Sequence, residues 1–374
     1  MLRNKDVSTT SKSPLAVIQV ALRVARDTWP EYSHVNSPKK FTQHQLFACL
    51  VLKSFWKTDY RGVTAFLRDL PNLVAALGLR VVPHFTTLQK AAKRLLVSSD
   101  AQRALDVAVR QHLGRKRCVA TAAADSTGLE CSCASAYFVR RRDRVGSPWK
   151  KMAYHRYPKL SLVCEVRTHF VLAARAGSGP RPDIDEFRDL LRDARRRCRP
   201  RCILADAGFD SEANHCFARQ SCGVRTIIPA RHGRPTSKPA RGHYRRLMQT
   251  RFDATTYAQR AQVETTVSML KRRQGAFVAA RRYWCQCREL LLKAITHNIM
   301  ILFLRRVFYR AGQDSLFCIR ERGRWENGTG RIVWARISGW PCGSNHVGPG
   351  LNAILLPPKN WGNQICLEVD VCIQ

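Results

Sequence analysis

The chain has 374 residues, 45% of them hydrophobic, and a formal charge of +37 from Lys+Arg 64 against Asp+Glu 27. It is long enough for one large domain plus a smaller one, and a field of that sign selects a polyanion or an acidic membrane surface as partner. No uninterrupted apolar run approaches the ~20 residues that span a bilayer, which argues against membrane insertion and leaves nucleic acid as the expected partner.

Residues 1–115 read as helical. Pro14–Trp29 has helical apolar periodicity through Leu15, Ile18, Ala21, Leu22 and Ala25. Thr42-Gln-His-Gln45 is a capping-box pattern that opens a helix over Leu46–Trp56. Tyr60–Leu70 and Thr86–Leu96 read as two more helices, separated by Pro71 and by Val82-Pro83. Short helices with Arg and Lys between them suit a helix-turn-helix-like DNA binder or an ordinary packing domain equally. Met1–Thr10 lacks the apolar core of a secretory signal, so a cytoplasmic, nucleoid-associated protein with reduced thiols is expected. Among the 15 cysteines, Cys131-Ser-Cys133 and Cys285-Gln-Cys287 are close pairs without the two-residue spacing of zinc knuckles.

From Arg117 the pattern changes. Cys118–Ala124 is a short apolar run ending in Asp125, the pattern of a buried strand. Leu160–Glu165 and His169–Ala174 read as a hairpin, and Asp183–Arg197 as an amphipathic helix with acids at its N-terminus. Cys202–Ala205 is another buried strand and also ends in an acid, Asp206. Ser211–Gln220 reads as helix and Val224–Ile228 as strand, before a Gly/Pro/Arg-rich link over Pro229–Arg246. That order predicts a mixed α/β sheet flanked by helices over residues 116–310, below an N-terminal all-helical domain. Residues 311–374 are rich in Gly, Pro and Trp with little periodicity and read as an irregular tail.

The chemistry concentrates in Tyr257-Ala-Gln-Arg260-Ala-Gln-Val-Glu264, continuing to Lys271. On one helix these four side chains fall within an arc of about 60°, so one carboxylate stands among two cations and a phenol. Glu264 is the only acid from Ala254 to Arg288, which sets it apart from a surface ion-pair lattice. Two acids closing apolar runs and a third on a helix make a carboxylate set that suits Mg²⁺. Each has a plainer reading: Asp125-Ser-Thr-Gly as an Asx-turn, Asp206 or Asp210 as a helix cap, Asp210 mainly so.

Together these segments resemble the DDE transposases of bacterial insertion sequences. The resemblance rests on Ala124-Asp-Ser-Thr-Gly-Leu129, Ala205-Asp-Ala-Gly-Phe-Asp-Ser211 and the Tyr257/Arg260/Glu264/Lys271 row, which reproduces the family's tyrosine–arginine–glutamate–lysine spacing. Pro158-Lys-Leu-Ser161 and His297-Asn298 are similar to the family less specifically. The resemblance implies a ribonuclease H-like core in which Asp125, Asp206 and Glu264 are catalytic and bind two Mg²⁺ ions, with Mn²⁺ as a substitute. It implies DNA contacts from Tyr257, Arg260, Lys271 and Lys159, and places Arg140, Arg141, Arg142, Lys150 and Lys151 on the DNA-facing side, solvated charge being their plainer reading. The implied partners are double-stranded DNA, as terminal inverted repeats and target, and a second copy of the chain on that DNA. The implied function is cleavage at the element's ends and strand transfer. The alternative is a catalytically degenerate or repurposed DNA-binding protein, which the charge alone supports equally; a structure-selective nuclease on the same fold is a third reading. Two features depart from the family: Phe209 stands where it usually has tyrosine, and the stretch before the Glu264 helix is too short for the large β insertion of hairpin-forming relatives.

Overall fold

The computed structural model describes residues 10–115, 117–131, 157–230 and 239–314, with side chains described to residue 302. The chain divides into a compact unit from Met1 to Arg310 and a second from Ala311 to Gln374. Arg140, Arg141 and the tail past residue 314 lie outside the described residues.

The N-terminal region is helical throughout its described residues: α1 (Pro14–Thr28), α2 (Gln43–Phe55), α3 (Tyr60–Asp69), α4 (Pro71–Ala76), α5 (Phe85–Leu95) and α6 (Ser98–Leu113). Local chemistry sets their starts. Ser13 caps α1 ahead of Pro14, and Thr42 and Gln45 form the reciprocal capping box of α2, at 3.1 and 2.9 Å. Helix α2 is buried along most of its length, with Phe47, Leu50 and Leu52 inaccessible to solvent, so it is the hub against which α1 and α5 pack. Helix α5 buries Leu88, Ala91, Ala92 and Leu95 and leaves Gln89, Lys90, Lys93 and Arg94 exposed.

The following strands build a five-stranded mixed sheet. They are β1 (Cys118–Gly128), β3 (Tyr157–Glu165), β4 (Val171–Gly179), β5 (Arg199–Leu204) and β6 (Arg225–Ile227), in the spatial order β4-β3-β1-β5-β6. β1–β3 and β3–β4 are antiparallel, whereas β1–β5 and β5–β6 are parallel. A two-residue strand β2 (Glu130–Cys131) pairs in parallel with β7 (Phe277–Val278). Helix α7 (Asp183–Arg197) covers β3 and β4; its first turn is acidic and its last turn is Arg195–Arg197, matching the helix dipole at both ends. After β5 come a 3₁₀ turn (Ala207–Phe209), α8 (Glu212–Cys216) continuing as a π turn (Phe217–Ser221), α9 (His243–Thr250), α10 (Ala254–Ala258), α11 (Ala261–Gln274) and α12 (Tyr283–Asp314). The mixed sheet flanked by helices, with an all-helical N-terminal region, is the architecture expected from the sequence.

One hydrophobic core runs from the N-terminal helices into the sheet, where Phe170, Phe187 and Phe209 are fully buried. The junction is polar as well as apolar. Buried Arg197 donates to Gln102 on α6 (2.6 Å) and to the Leu172 carbonyl (3.1 Å), and also pairs with Asp106. Edge strand β4 is closed by α12: Asn298 accepts from the Val171 N–H and donates to the Val171 carbonyl, both at 2.8 Å. That pairing is why a fully buried asparagine is tolerated in α12.

Two expectations need correction. Tyr257 to Lys271 is not one helix, because α10 ends at Ala258 and α11 begins at Ala261, with a turn at Gln259 and Arg260. Nor does β1 stop at Ala124; it continues to Gly128 because β3 keeps pairing with it through Gly128↔Lys159.

Candidate active site

Two parallel strands bring the first two acids level. The β1–β5 register ends at Ala123↔Leu204, and Asp125 and Asp206 each lie two residues further along. Equal offsets on parallel neighbours keep residues side by side and on the same face of the pleat. Beyond Leu204 the chain leaves the sheet, so these two carboxylates stand where the parallel β1–β5 pairing ends, the usual ligand position at the carboxyl ends of parallel strands.

The third acid arrives on α11, which packs over β1 and β3. Val263, Thr266 and Leu270 are buried and fix the helix, while Glu264 in its first turn faces outward with its side chain 59% exposed. Arg260, just before the helix, ties the set together. Its Nη1 donates to Glu264 Oε1 at 2.7 Å, and its Nη2 lies 4.0 Å from Asp125 Oδ1 and 3.9 Å from Asp206 Oδ2. The three carboxylates predicted from sequence therefore surround one guanidinium. The i,i+4 relation of Arg260 to Glu264 survives the break in the helix.

Electrostatics follow from this crowding. Burial pushes the Asp125 carboxyl up to about 6; the Ser126 N–H and Arg260 oppose that, and Asp206 and Glu264 add to it. Partial burial alone would lower the Arg260 pKa, but Asp125, Tyr257, Glu264 and Asp206 reverse the sign and raise it. Tyr257 packs edge-on against Phe252, with ring centroids 5.0 Å apart, and burial followed by the nearby Asp206 and Glu264 raises its phenol. Lys271, half-buried on α11, is seven residues beyond Glu264, about 10 Å along the axis.

By chemistry the donor set suits a hard divalent cation, because all three groups are carboxylates. As placed, no group of three or more His, Cys, Asp or Glu side chains among the described residues could hold a metal ion. Arg260 supplies the positive charge among them instead.

Lys159 is not placed as a phosphate contact. It is buried, with Nζ 2.6 Å from Asp183 Oδ1 and 3.4 Å from Glu186 Oε1, and it donates to the Arg181 carbonyl at 2.7 Å. Ser126 donates to Asp183 at 2.5 Å and Ser161 to Glu186, so α7 is bolted to the strand segment that carries Asp125. Sequence reasoning missed this brace, although its signal was present. Lys159 and Ser161 alternate along an otherwise apolar strand, so the helix covering that face must supply their partners. Asp210 is not a cap either. Ser211 caps α8, and the buried Asp210 carboxylate lies 2.8 Å from Arg245 Nη2 and 3.5 Å from His215 Nε2. Asp206 does cap, accepting from the Gly208 N–H at 2.9 Å while its other oxygen faces Arg260.

Fold and site together define a mixed α/β protein with an acid cluster at the ends of two parallel strands, the third acid supplied by a covering helix. Residues 121–299, just under half of the chain, match the family model for the transposase DDE domain, and that segment carries Asp125, Asp206 and Glu264. In overall structure the chain is similar to the piggyBac transposase of a synaptic complex with hairpin DNA, at 11% identity and a TM-score of 0.41, covering 82% of this chain and 78% of that one. No curated protein matches the chain in sequence.

Proposed function

We propose that the protein is a transposase that binds the ends of a bacterial insertion sequence, hydrolyses the phosphodiester there and transfers the freed 3′ end into target DNA. The observation that carries this reading is the gathering of Asp125, Asp206 and Glu264 around Arg260. Three acids gathered at one place in a chain of charge +37 support a cation-binding role for them. Asp125, Asp206 and Glu264 would hold two Mg²⁺ ions, with Mn²⁺ as a substitute; when bound, such ions activate the attacking oxygen and stabilise the leaving one.

The chain's own residues do the rest. Strands β1 and β5 hold Asp125 and Asp206 at fixed spacing, and the brace of Lys159, Asp183 and Glu186 keeps that edge rigid. Arg260, released from the acids, is positioned to contact the scissile phosphate, and Lys271 a phosphate further along. Tyr257 positions the DNA end or the Glu264 helix. The exposed Lys90, Lys93 and Arg94 of α5 give the helical region a basic face for the terminal repeats, with two copies of the chain on paired ends.

The test uses purified full-length protein, the DNA flanking its own gene and Mg²⁺. Cleavage at the element's ends, lost in Glu264→Gln while binding persists, is the expected result. Salt-sensitive binding without product from any divalent ion would instead establish a repurposed DNA-binding protein, and cleavage without joined products a nuclease.

A further inference from the structure

Among the described residues after the Glu264 helix, the most exposed large hydrophobic ones are Trp284 (68%), Phe277 (47%) and Tyr283 (44%). They lie within eight positions of one another, around the turn from β7 into α12, and the intervening Arg281 and Arg282 are exposed too. Leaving a tryptophan in water forgoes roughly 25 cal/mol for each Å² that burial would remove.

The turn holding these rings is firmly built. Both oxygens of Glu289 accept backbone N–H groups, from Ala279 at 3.2 Å and Ala280 at 3.1 Å. Gln286 donates to the Ala280 carbonyl at 3.0 Å, and Arg282 receives the N–H groups of Cys285 and Gln286 at 2.9 Å, starting α12. Tyr283 and Trp284 meet edge to face, centroids 5.0 Å apart, so each ring braces the other. Rigid rings displayed beside two exposed arginines suit a ligand that is both anionic and flat.

The location is equally specific. The Tyr283 phenol lies within electrostatic reach of Arg181 and Glu186. Glu186 shares Lys159 with Asp183, and Asp183 accepts from Ser126, the residue next to Asp125. The turn borders the continuation of β1 past Asp125, since β7 pairs with β2, which begins five residues after Asp125, and Gln286 donates to Cys131 Sγ at 3.0 Å.

We propose that Arg281–Trp284 is a stacking platform for an unpaired base at the DNA end: Trp284, braced by Tyr283, offers its ring to the base, and Arg281 and Arg282 hold the adjoining phosphates. A ring face accepts any base, and each stacked base is worth about tenfold or more in affinity. The site rests on the DNA-binding part of the reading above but requires no catalysis, so the two can fail separately.

The experiment measures equilibrium binding of the full chain by anisotropy, in EDTA so that nothing is cleaved. Two oligonucleotide duplexes are compared, one blunt and one ending in unpaired thymidines with a single 2-aminopurine. The expected result is tighter binding of the tailed duplex, with 2-aminopurine quenched. Trp284→Ala removes the quenching and about tenfold of the tailed affinity while blunt binding stays within about twofold, and Trp284→Phe keeps most of both. Equal binding of the tailed duplex by wild type and Trp284→Ala overturns the proposal. So does an equal loss on both duplexes, or a change in sedimentation that marks the patch as a contact between copies. Tail preference in a protein that never cleaves would sink the transposase reading alone; cleavage with an indifferent Trp284 would sink this one alone.

Discussion

Replacing Asp125 with asparagine keeps the size of the side chain and an oxygen able to accept the Ser126 N–H at 2.9 Å, but removes a half-buried charge from beside two other acids. The Asp125 carboxyl is raised from an ordinary 3.8 to about 6, burial being the largest cause. A carboxyl raised on folding contributes stability that is fully present below about 3.8 and is lost as pH rises through about 6. At neutral pH the metal-free protein therefore carries a penalty of up to roughly 3 kcal/mol at this one residue, from 1.36 kcal/mol for each tenfold change in acidity. Asparagine never ionises, so Asp125→Asn is expected to be more stable than wild type by about 1–3 kcal/mol near pH 7, a few degrees in Tm. The gap closes towards about pH 4, where the wild-type carboxyl is protonated. Thermal unfolding in EDTA from about pH 4 to about pH 8 measures both the sign and the window. A variant less stable than wild type near neutrality, or a gap that ignores pH, would refute the reasoning. On the proposed function the same variant should also lose cleavage, the pairing expected of a residue kept for activity at the expense of stability.

Two further outcomes follow from buried pairs away from the acids. Lys159→Met strands Asp183 and Glu186 beneath α7 without their cation, and should cost about 3–5 kcal/mol in denaturant unfolding; a loss under about 1 kcal/mol would mean that the brace is dispensable. Asn298→Ala leaves both backbone groups of Val171 unpaired inside the protein. It should cost about 2 kcal/mol or more and speed hydrogen exchange along β4 relative to β1, while exchange unchanged at Val171 would contradict that closure.

The sheet was readable because its strands contain short, largely apolar runs, such as Val119–Ala124 in β1 and Cys202–Leu204 in β5. Asp183–Arg197 was readable to the residue, since its acidic start, basic end and Phe187/Leu190/Leu191 stripe agree with one another. Level placement of Asp125 and Asp206 was not readable. It depends on the β1–β5 register, and two apolar runs separated by some eighty residues say nothing about which residue faces which. The length of β1 was misjudged for the same reason: Asp125, Ser126 and Thr127 look like turn residues, and only pairing with Leu162, Ser161 and Leu160 keeps them extended.

The helix break at Gln259–Arg260 shows why the role of Arg260 needed coordinates. Nothing in Tyr257-Ala-Gln-Arg-Ala-Gln-Val-Glu264 is a helix breaker, and a continuous helix would place Arg260 on the same exposed row as Glu264. The turn instead lets its guanidinium hydrogen-bond Glu264 while lying 4.0 Å from Asp125 and 3.9 Å from Asp206, so three carboxylates share one cation. Neighbouring acids of this kind cannot all stay ionised without compensation. Arg260 gives that compensation from within the chain. On the proposed function a divalent ion entering this site would compete with it, and a DNA phosphate would be the group to draw it away. DNA and metal should therefore bind more tightly together than apart, each removing the arginine from the other's path.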